Sequence, residues 1–372
     1  MVRIERVTSR RSLKEFILFP HSIYGNNANW IPDLVFDELS NLNAGKNPAF
    51  AFCKAEMFLA YRGECCVGRI AVFINHQANK IWKQNRARFS RADFVDDDQV
   101  VDALFDAAED CAKQWGCAEI HGPLGLTDFD KEGSLIEGFD QQGTFLTYYN
   151  EPYYQRQFER KGFIRDTDWV EYLIRMPQEP IEKIAKLADL VQRRSGVQLY
   201  RIRSRKDLMQ KISELLDLVN QTYANLYGVT PINEAQKKYY VKQFIPLIHR
   251  DYLVILQKDD QICALGWALP SVAKAVRKSS GRLLPLGLFR LLLAIKKNDR
   301  LDLALIAVRP DMQKAGLPAI LMNEMTKSCL KHGIKFVESN PELENNADVQ
   351  ALWKYYDSTL HKRRRCYVKS LV

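Results

Sequence analysis

The 372-residue chain has no run of about 18 uncharged apolar residues, which excludes a conventional membrane-spanning helix. It also has no secretory signal: Met1-Val2-Arg3-Ile4-Glu5-Arg6 goes straight into strand-like alternation, so a cytoplasmic location is expected. None of its eight cysteines, at 53, 65, 66, 111, 117, 263, 329 and 366, stands in a CxxC pair or at Cys/His zinc spacing. No metal is therefore expected, and the cysteines read as small core residues in a reducing compartment. Neither GxxxxGK[ST] nor GxGxxG occurs, which argues against a Walker loop and a dinucleotide fingerprint.

Apolar residues are plentiful, at 47%, and the length suffices for two well-buried cores. The net charge of +9 is divided unevenly. Residues 1–178 carry 21 Lys+Arg against 26 Asp+Glu, whereas 179–372 carry 33 against 19. The basic second half favours anionic ligands such as phosphate-bearing cofactors, acidic carrier proteins, lipid headgroups or nucleic acid.

The same design occurs twice at a constant offset of 195 residues. Arg6 to Leu13 falls on Arg201 to Leu208, and the hairpin Phe58 to Ile70 falls on Leu253 to Leu265. Phe158 falls on Trp353 and Tyr172 on Tyr367. The expected division is a first domain at 1–178, a linker helix at 179–198 opened by Pro180 and closed near Gly196, and a second domain at 199–372.

In the second half, Leu208, Ile212, Leu215, Leu216 and Val219 recur at helical spacing, which is core packing. The strand Leu303 to Val308 then leads into Arg309-Pro310-Asp311-Met312-Gln313-Lys314-Ala315-Gly316-Leu317-Pro318-Ala319. A helix follows from about Ala319 to His332 and ends at Gly333. A strand, a glycine turn and a helix N-terminus aim backbone N–H groups and the helix dipole at one place, an anion site that suits a diphosphate.

This order of elements over 199–372, centred on Val308-x-Pro310-x-x-Gln313-x-x-Gly316, resembles the GNAT acyltransferase superfamily. The resemblance implies an α/β (α+β) fold of two GNAT-like domains, each a mixed, mostly antiparallel sheet flanked by helices. It implies that the backbone at Val308, Gln313, Lys314, Ala315, Gly316, Leu317 and Ala319 holds an acyl-CoA donor, acetyl-CoA or a longer chain. The thioester would lie between two neighbouring strands. Transfer to an amine is the activity it implies, with a non-catalytic ligand-sensing protein as the alternative. Pro318 departs from the family's Gly or Ala and removes one backbone donor, and Trp353 stands where the family often has a tyrosine acid. Tyr355 or Tyr356 is then the candidate for protonating the leaving thiolate, or else a packed or surface residue. Glu338 on the next strand is the candidate base, or else a salt-bridge partner in this basic half. Tyr223, Tyr227, Asn340 and Asn346 are candidate acceptor contacts. The tyrosines read equally as a cap on the sheet and the asparagines as helix caps.

In the first half the stretch corresponding to the donor turn, Arg91 to Val100, has no glycine and four aspartates, so a degenerate domain without donor binding is expected. A long insert, His121 to Tyr154, is rich in glycine and aromatics. With Asn29-Trp30-Ile31-Pro32, Lys46-Asn47-Pro48 and Glu137-Gly138-Phe139-Asp140, this half resembles two-domain bacterial GNAT-like proteins. The second half carries a basic and apolar insert at 274–297, suited to a membrane surface, an acyl chain, an acyl carrier protein, or packing on another domain or subunit. The acceptor is read as a small-molecule or lipid amine. Nucleic-acid binding is not favoured, because the cations are dispersed and no recognition motif occurs.

Overall fold

The computed structural model describes residues 1–372. Its first sheet runs β1 (Val2–Arg6), β2 (Cys53–Arg62), β3 (Cys65–Asn75), β4 (Arg86–Phe94) and β5 (Glu119–Gly122), in that spatial order. All pairs are antiparallel except β4 with β5, which the helix Asp98–Gln114 joins in parallel. Gly63, at φ +60°, makes the tight β2–β3 turn. The insert contributes β6 (Ser134–Glu137), and the first half closes on the helix Tyr153–Arg160 and on β7 (Ile164–Arg175).

The second half repeats the scheme with β8 (Gln198–Tyr200), β9 (Leu253–Lys258), β10 (Gln261–Pro270), β11 (Arg300–Val308) and β12 (Phe336–Glu338). Again one pair is parallel, β11 with β12, joined by the helix Pro318–His332, while β8–β9, β9–β10 and β10–β11 are antiparallel. Asp259 and Asp260 occupy positive φ in the β9–β10 turn, a conformation that aspartate tolerates. The two-residue β13 (Glu342–Leu343) and the long β14 (Asp357–Ser370) complete the chain. The same order of strands thus recurs in the two halves, with β11 and β12 displaced from the 195-residue offset by the insert before them.

The last strands are exchanged. β5 pairs with β14, with Tyr367 opposite Gly122, while β12 pairs with β7, with Val337 opposite Ile174. The compact units are consequently discontinuous. One comprises 1–170, 273–291 and 361–372, the other 171–272 and 292–360. The expected contiguous boundaries, 1–178 and 199–372, differ from these because a strand is most stable where its edge is paired, whichever half encodes it. The helix Glu182–Ser195, expected as a linker, packs along Pro318–His332 with Ala188 and Val191 in the second unit's core. Gly196 ends it in the left-handed conformation, as the sequence suggested.

The first unit's core is aromatic: Phe89, Phe94, Phe105, Phe158 and Phe163 are buried with centroid spacings of 5.2–6.3 Å. Such edge-to-face contacts add about 0.5–1.5 kcal/mol each beyond burial. Near the C-terminus the expected helix Ala347 to Tyr356 is shorter, one turn at Ala347–Gln350 followed by a 3-10 segment to Tyr355, because β14 begins at Asp357. All eight cysteines are free; six are buried, Cys66 is half-buried and Cys65 is exposed.

Candidate active site

Strands β11 and β12 hydrogen-bond over three residues only, Arg300–Asp302 with Phe336–Glu338. β11 then runs on alone to Val308, while the chain after Glu338 turns toward β7, where the Ser339 N–H donates to the Tyr172 carbonyl at 2.8 Å. The two strands therefore part. On the opposite edge of β11 the Arg309 N–H donates to the Cys263 carbonyl, so residues 304, 306 and 308 direct their backbone polar groups into the opening.

Those groups have local partners. The Tyr223 hydroxyl, at the end of the helix Arg205–Tyr223, donates to the Ile306 carbonyl at 2.8 Å and accepts from the Ile306 N–H at 3.3 Å. Thr222 donates to the Val308 carbonyl and the Asn340 amide to the Ala304 carbonyl. Burial pushes the Tyr223 phenol up to about 12. Tyr227 lies half-buried in the turn after that helix.

The turn expected to hold the donor forms a 3-10 segment, Pro310–Ala315, which Gly316 ends at φ +79°. A Cβ at Gly316 would approach the Val191 methyl to 3.1 Å, so position and conformation both require glycine. Gln313, Lys314 and Ala315 are exposed, Leu317 is buried, and Pro318 is the first residue of the following helix. The Ala319 N–H is already bonded to the Gly316 carbonyl. No side chain caps this 15-residue helix and no acid stands in its first turn. The terminus thus fits an anionic ligand, with Gln313 to Gly316 as its exposed approach.

The equivalent helix of the first unit contrasts sharply. The Asp97 carboxylate there accepts from the Gln99 and Val100 N–H groups, placing a built-in anion where a diphosphate would bind. The neighbouring acids are neutralised locally, Asp96 by Arg156 and Asp97 by Arg62.

The remaining sequence candidates fall in different places. Glu338 is buried and 3.5 Å from Arg300, the salt-bridge arrangement. Tyr356 hydrogen-bonds Thr326 at 2.8 Å, whereas Tyr355 is exposed with Lys183 over its ring. Asn346 caps Ala347–Gln350 by accepting from the Val349 N–H. Trp353 donates its indole N–H to both oxygens of Glu342, at 2.9 and 3.1 Å.

Glu342, overlooked in the sequence, is chemically the most informative of these groups. Burial raises its carboxyl from 4.5 to about 7, the Trp353 and Ser339 hydrogen bonds offsetting only part of the desolvation. Glu342 stands two residues after Asn340, whose amide donates to the Ala304 carbonyl in the strand opening. Nothing in the sequence marked it, because the signal is a carboxylate on a two-residue strand, deprived of water by a fold not yet known.

The first unit has a narrow polar recess of its own, lined by Tyr24, Trp30, Arg69, Asp93, Lys131 and Tyr148 among others. The Arg69 guanidinium binds Asp93 at 2.7 Å, and Tyr24 bonds both Asp93 and Tyr154. Close by, buried Arg91 clamps Glu38 through two bonds, at 2.7 and 3.0 Å, from a backbone at φ +48°. Against the desolvation that would raise it, Arg91 holds the Glu38 carboxyl at about 2. Buried ion pairs beside strained backbone are features that cluster at ligand sites. The first half thus lacks the glycine turn but keeps a charged, hydrogen-bonded recess.

A parallel pair that parts within an otherwise antiparallel sheet occurs in each half, and in the second half it lies beside a glycine turn and helix N-terminus; this is the arrangement of the GNAT fold. The solved structure of a tandem GNAT protein from the clavulanic acid biosynthesis pathway matches it with a TM-score of 0.60 at 10% identity, over 100% of this chain and 99% of that one. In sequence, the chain is 27% identical to Protein YghO of Escherichia coli over 98% of this chain and 94% of that protein. It is 26% identical to a bacterial ceramide synthase of Caulobacter vibrioides over 98% of this chain and 96% of that enzyme. No model of a protein family matches the chain.

Proposed function

We propose that this protein is an N-acyltransferase that moves an acyl group from a coenzyme A or acyl-carrier thioester to an amine. The observation that carries the reading is the opening between β11 and β12 beside an uncapped helix N-terminus, with the Glu342 carboxyl, raised by burial to about 7, as the base. A base in that range is half ionised at neutral pH, close to the operating pH at which general-base catalysis is most efficient. In this reading the backbone from Gln313 to Ala319 holds the diphosphate, and a strand amide near Val308 polarises the thioester carbonyl. Glu342 takes the ammonium proton, the amine nitrogen bonds to the carbonyl carbon, and the carbon–sulfur bond breaks. The thiolate receives a proton from Tyr356 or Tyr355, and the second proton lost by the nitrogen as the amide forms restores that tyrosine. Glu338, paired to Arg300, fixes the strand instead of acting as the base.

The ceramide synthase relative supports a long-chain amino alcohol as the acceptor, since making ceramide is N-acylation of such an amine. Calorimetric titration with coenzyme A, acetyl-CoA and a long-chain acyl-CoA, followed by single-turnover transfer to long-chain and short-chain amines, tests both parts. Micromolar donor binding with amide formation is expected. A second reading, a ligand-sensing protein without turnover, is favoured by one feature: the Tyr223 phenol already occupies the Ile306 backbone groups that a donor arm would use. Donor binding with no transfer to any amine would establish it.

A further inference from the structure

Between Gln261 and Asn298 the chain contains no acidic residue and seven cations: Lys274, Arg277, Lys278, Arg282, Arg290, Lys296 and Lys297. Six of the sixteen exposed large apolar side chains of the whole protein lie inside this stretch: Leu284, Leu286, Leu288, Phe289, Leu292 and Leu293, each 45–79% exposed. Residues 288, 289, 292 and 293 share one face of the helix Gly287–Lys296, because side chains one, four and five positions apart line up along it. Ala294 and Ile295 turn partly inward, and Lys296 and Lys297 end the segment with exposed ammonium groups.

This segment is anchored. The Val35 N–H donates to the Gly281 carbonyl at 3.0 Å, and a Cβ at Gly281 would lie 2.1 Å from the Asp33 carbonyl oxygen, so only glycine permits the contact. Arg277 reaches the Asn27 carbonyl, and Arg290 donates to the Lys278 carbonyl at 2.8 Å. The apolar face is thus presented on a fixed support beside the segment that lines the first unit's recess.

We propose that the segment Ala273–Lys297 docks the protein on an anionic lipid bilayer, the leucines and Phe289 entering the acyl boundary and the flanking cations meeting lipid phosphates. A bilayer satisfies both halves of the pattern at once, apolar burial and a field of negative charge without fixed positions. An acidic carrier protein would use the cations and leave six large apolar side chains wet. The proposal stands on this surface alone and does not depend on the acyl-transfer reading.

The test is co-sedimentation of the full chain with phosphatidylcholine vesicles and with vesicles containing 30% phosphatidylglycerol, at low and high salt. Binding is expected on the anionic vesicles only, weakening with salt. Lys296→Ala with Lys297→Ala should lower partitioning about 25-fold at low salt, roughly fivefold per cation. Leu288→Asp with Phe289→Asp should abolish it while leaving the melting temperature unchanged, since both side chains are exposed. Gly316→Glu should bind vesicles as the wild type does, which separates this surface from the donor site. Absence of vesicle binding by the wild type, or undiminished binding by the Asp pair, would overturn the proposal. So would capture of an apo acyl carrier protein, or self-association, lost in the Asp pair while vesicles are ignored.

Discussion

Replacing Glu342 by Gln tests burial and chemistry together. The carboxyl is raised from 4.5 to about 7, so the folded state holds its proton more tightly than the unfolded chain. The neutral form's advantage is complete below pH 4.5 and is lost as the pH rises through about 7; above that, folding costs the shift in full. At about 1.4 kcal/mol per unit the ceiling is roughly 3 kcal/mol, and residual solvent contact brings the expected value to about 2 kcal/mol. Glutamine keeps an oxygen for the Trp353 indole and carries no charge to desolvate. The variant should therefore melt with the wild type at pH 4 and above it at pH 8, by roughly 4–8 °C for a unit of this size. Differential scanning calorimetry at the two pH values reads this directly. Amide formation should fall by about 10²–10⁴-fold, and the rise in wild-type rate through pH 7 should vanish. Equal melting of the two proteins at pH 8 would show that Glu342 is well solvated, and transfer surviving with an unchanged pH profile would remove it from the mechanism.

Tyr223→Phe should lower stability by about 1–3 kcal/mol, because the Ile306 N–H and carbonyl lose their partner, yet raise donor affinity if the phenol competes with the donor arm. Denaturant melts and calorimetry separate the two, and a fall in both would make the tyrosine purely structural. Gly316→Glu should abolish coenzyme A binding in the same titration, since its left-handed φ and the Val191 contact both resist a side chain. Arg91→Ala should destabilise the first unit by about 3–5 kcal/mol, leaving Glu38 buried without its cation. Because Glu38 is held at about 2, its contribution is present above pH 4.5 and fades as the pH falls toward 2. Acid melts of the variant should lack that limb.

The fold was legible in the sequence where periodicity and punctuation are local. The helix closed by Gly333, the helix closed by Gly196 and both hairpins stand where spacing placed them, because a left-handed glycine or a two-residue turn is specified within a few residues. The acidic turn of the first half was legible for the same reason: Asp97 caps its own helix. Which strand completes which sheet was not legible, since β7 and β14 are related by the repeat and either could pair with β5 or β12. Nor was the identity of the poised carboxyl. Glu338 and Glu342 are four residues apart and alike in sequence, but one faces Arg300 and the other an indole N–H with little water.

The exchange of the last strands bears on why a half without the glycine turn persists. β14 is encoded after the glycine turn of the second half but lies against β5 in the first unit, with Arg365 clamped to Asp168 at 2.8 and 2.9 Å. β7 is encoded before the linker helix but supplies residues opposite β12, the strand that borders the opening. Removing the first half would therefore strip β12 of its partner and leave an unpaired edge beside the candidate active site. Selection on the opening between β11 and β12 thus acts on β7 as well, whatever the first half itself binds. The half without the glycine turn is therefore structurally necessary to the half that carries one.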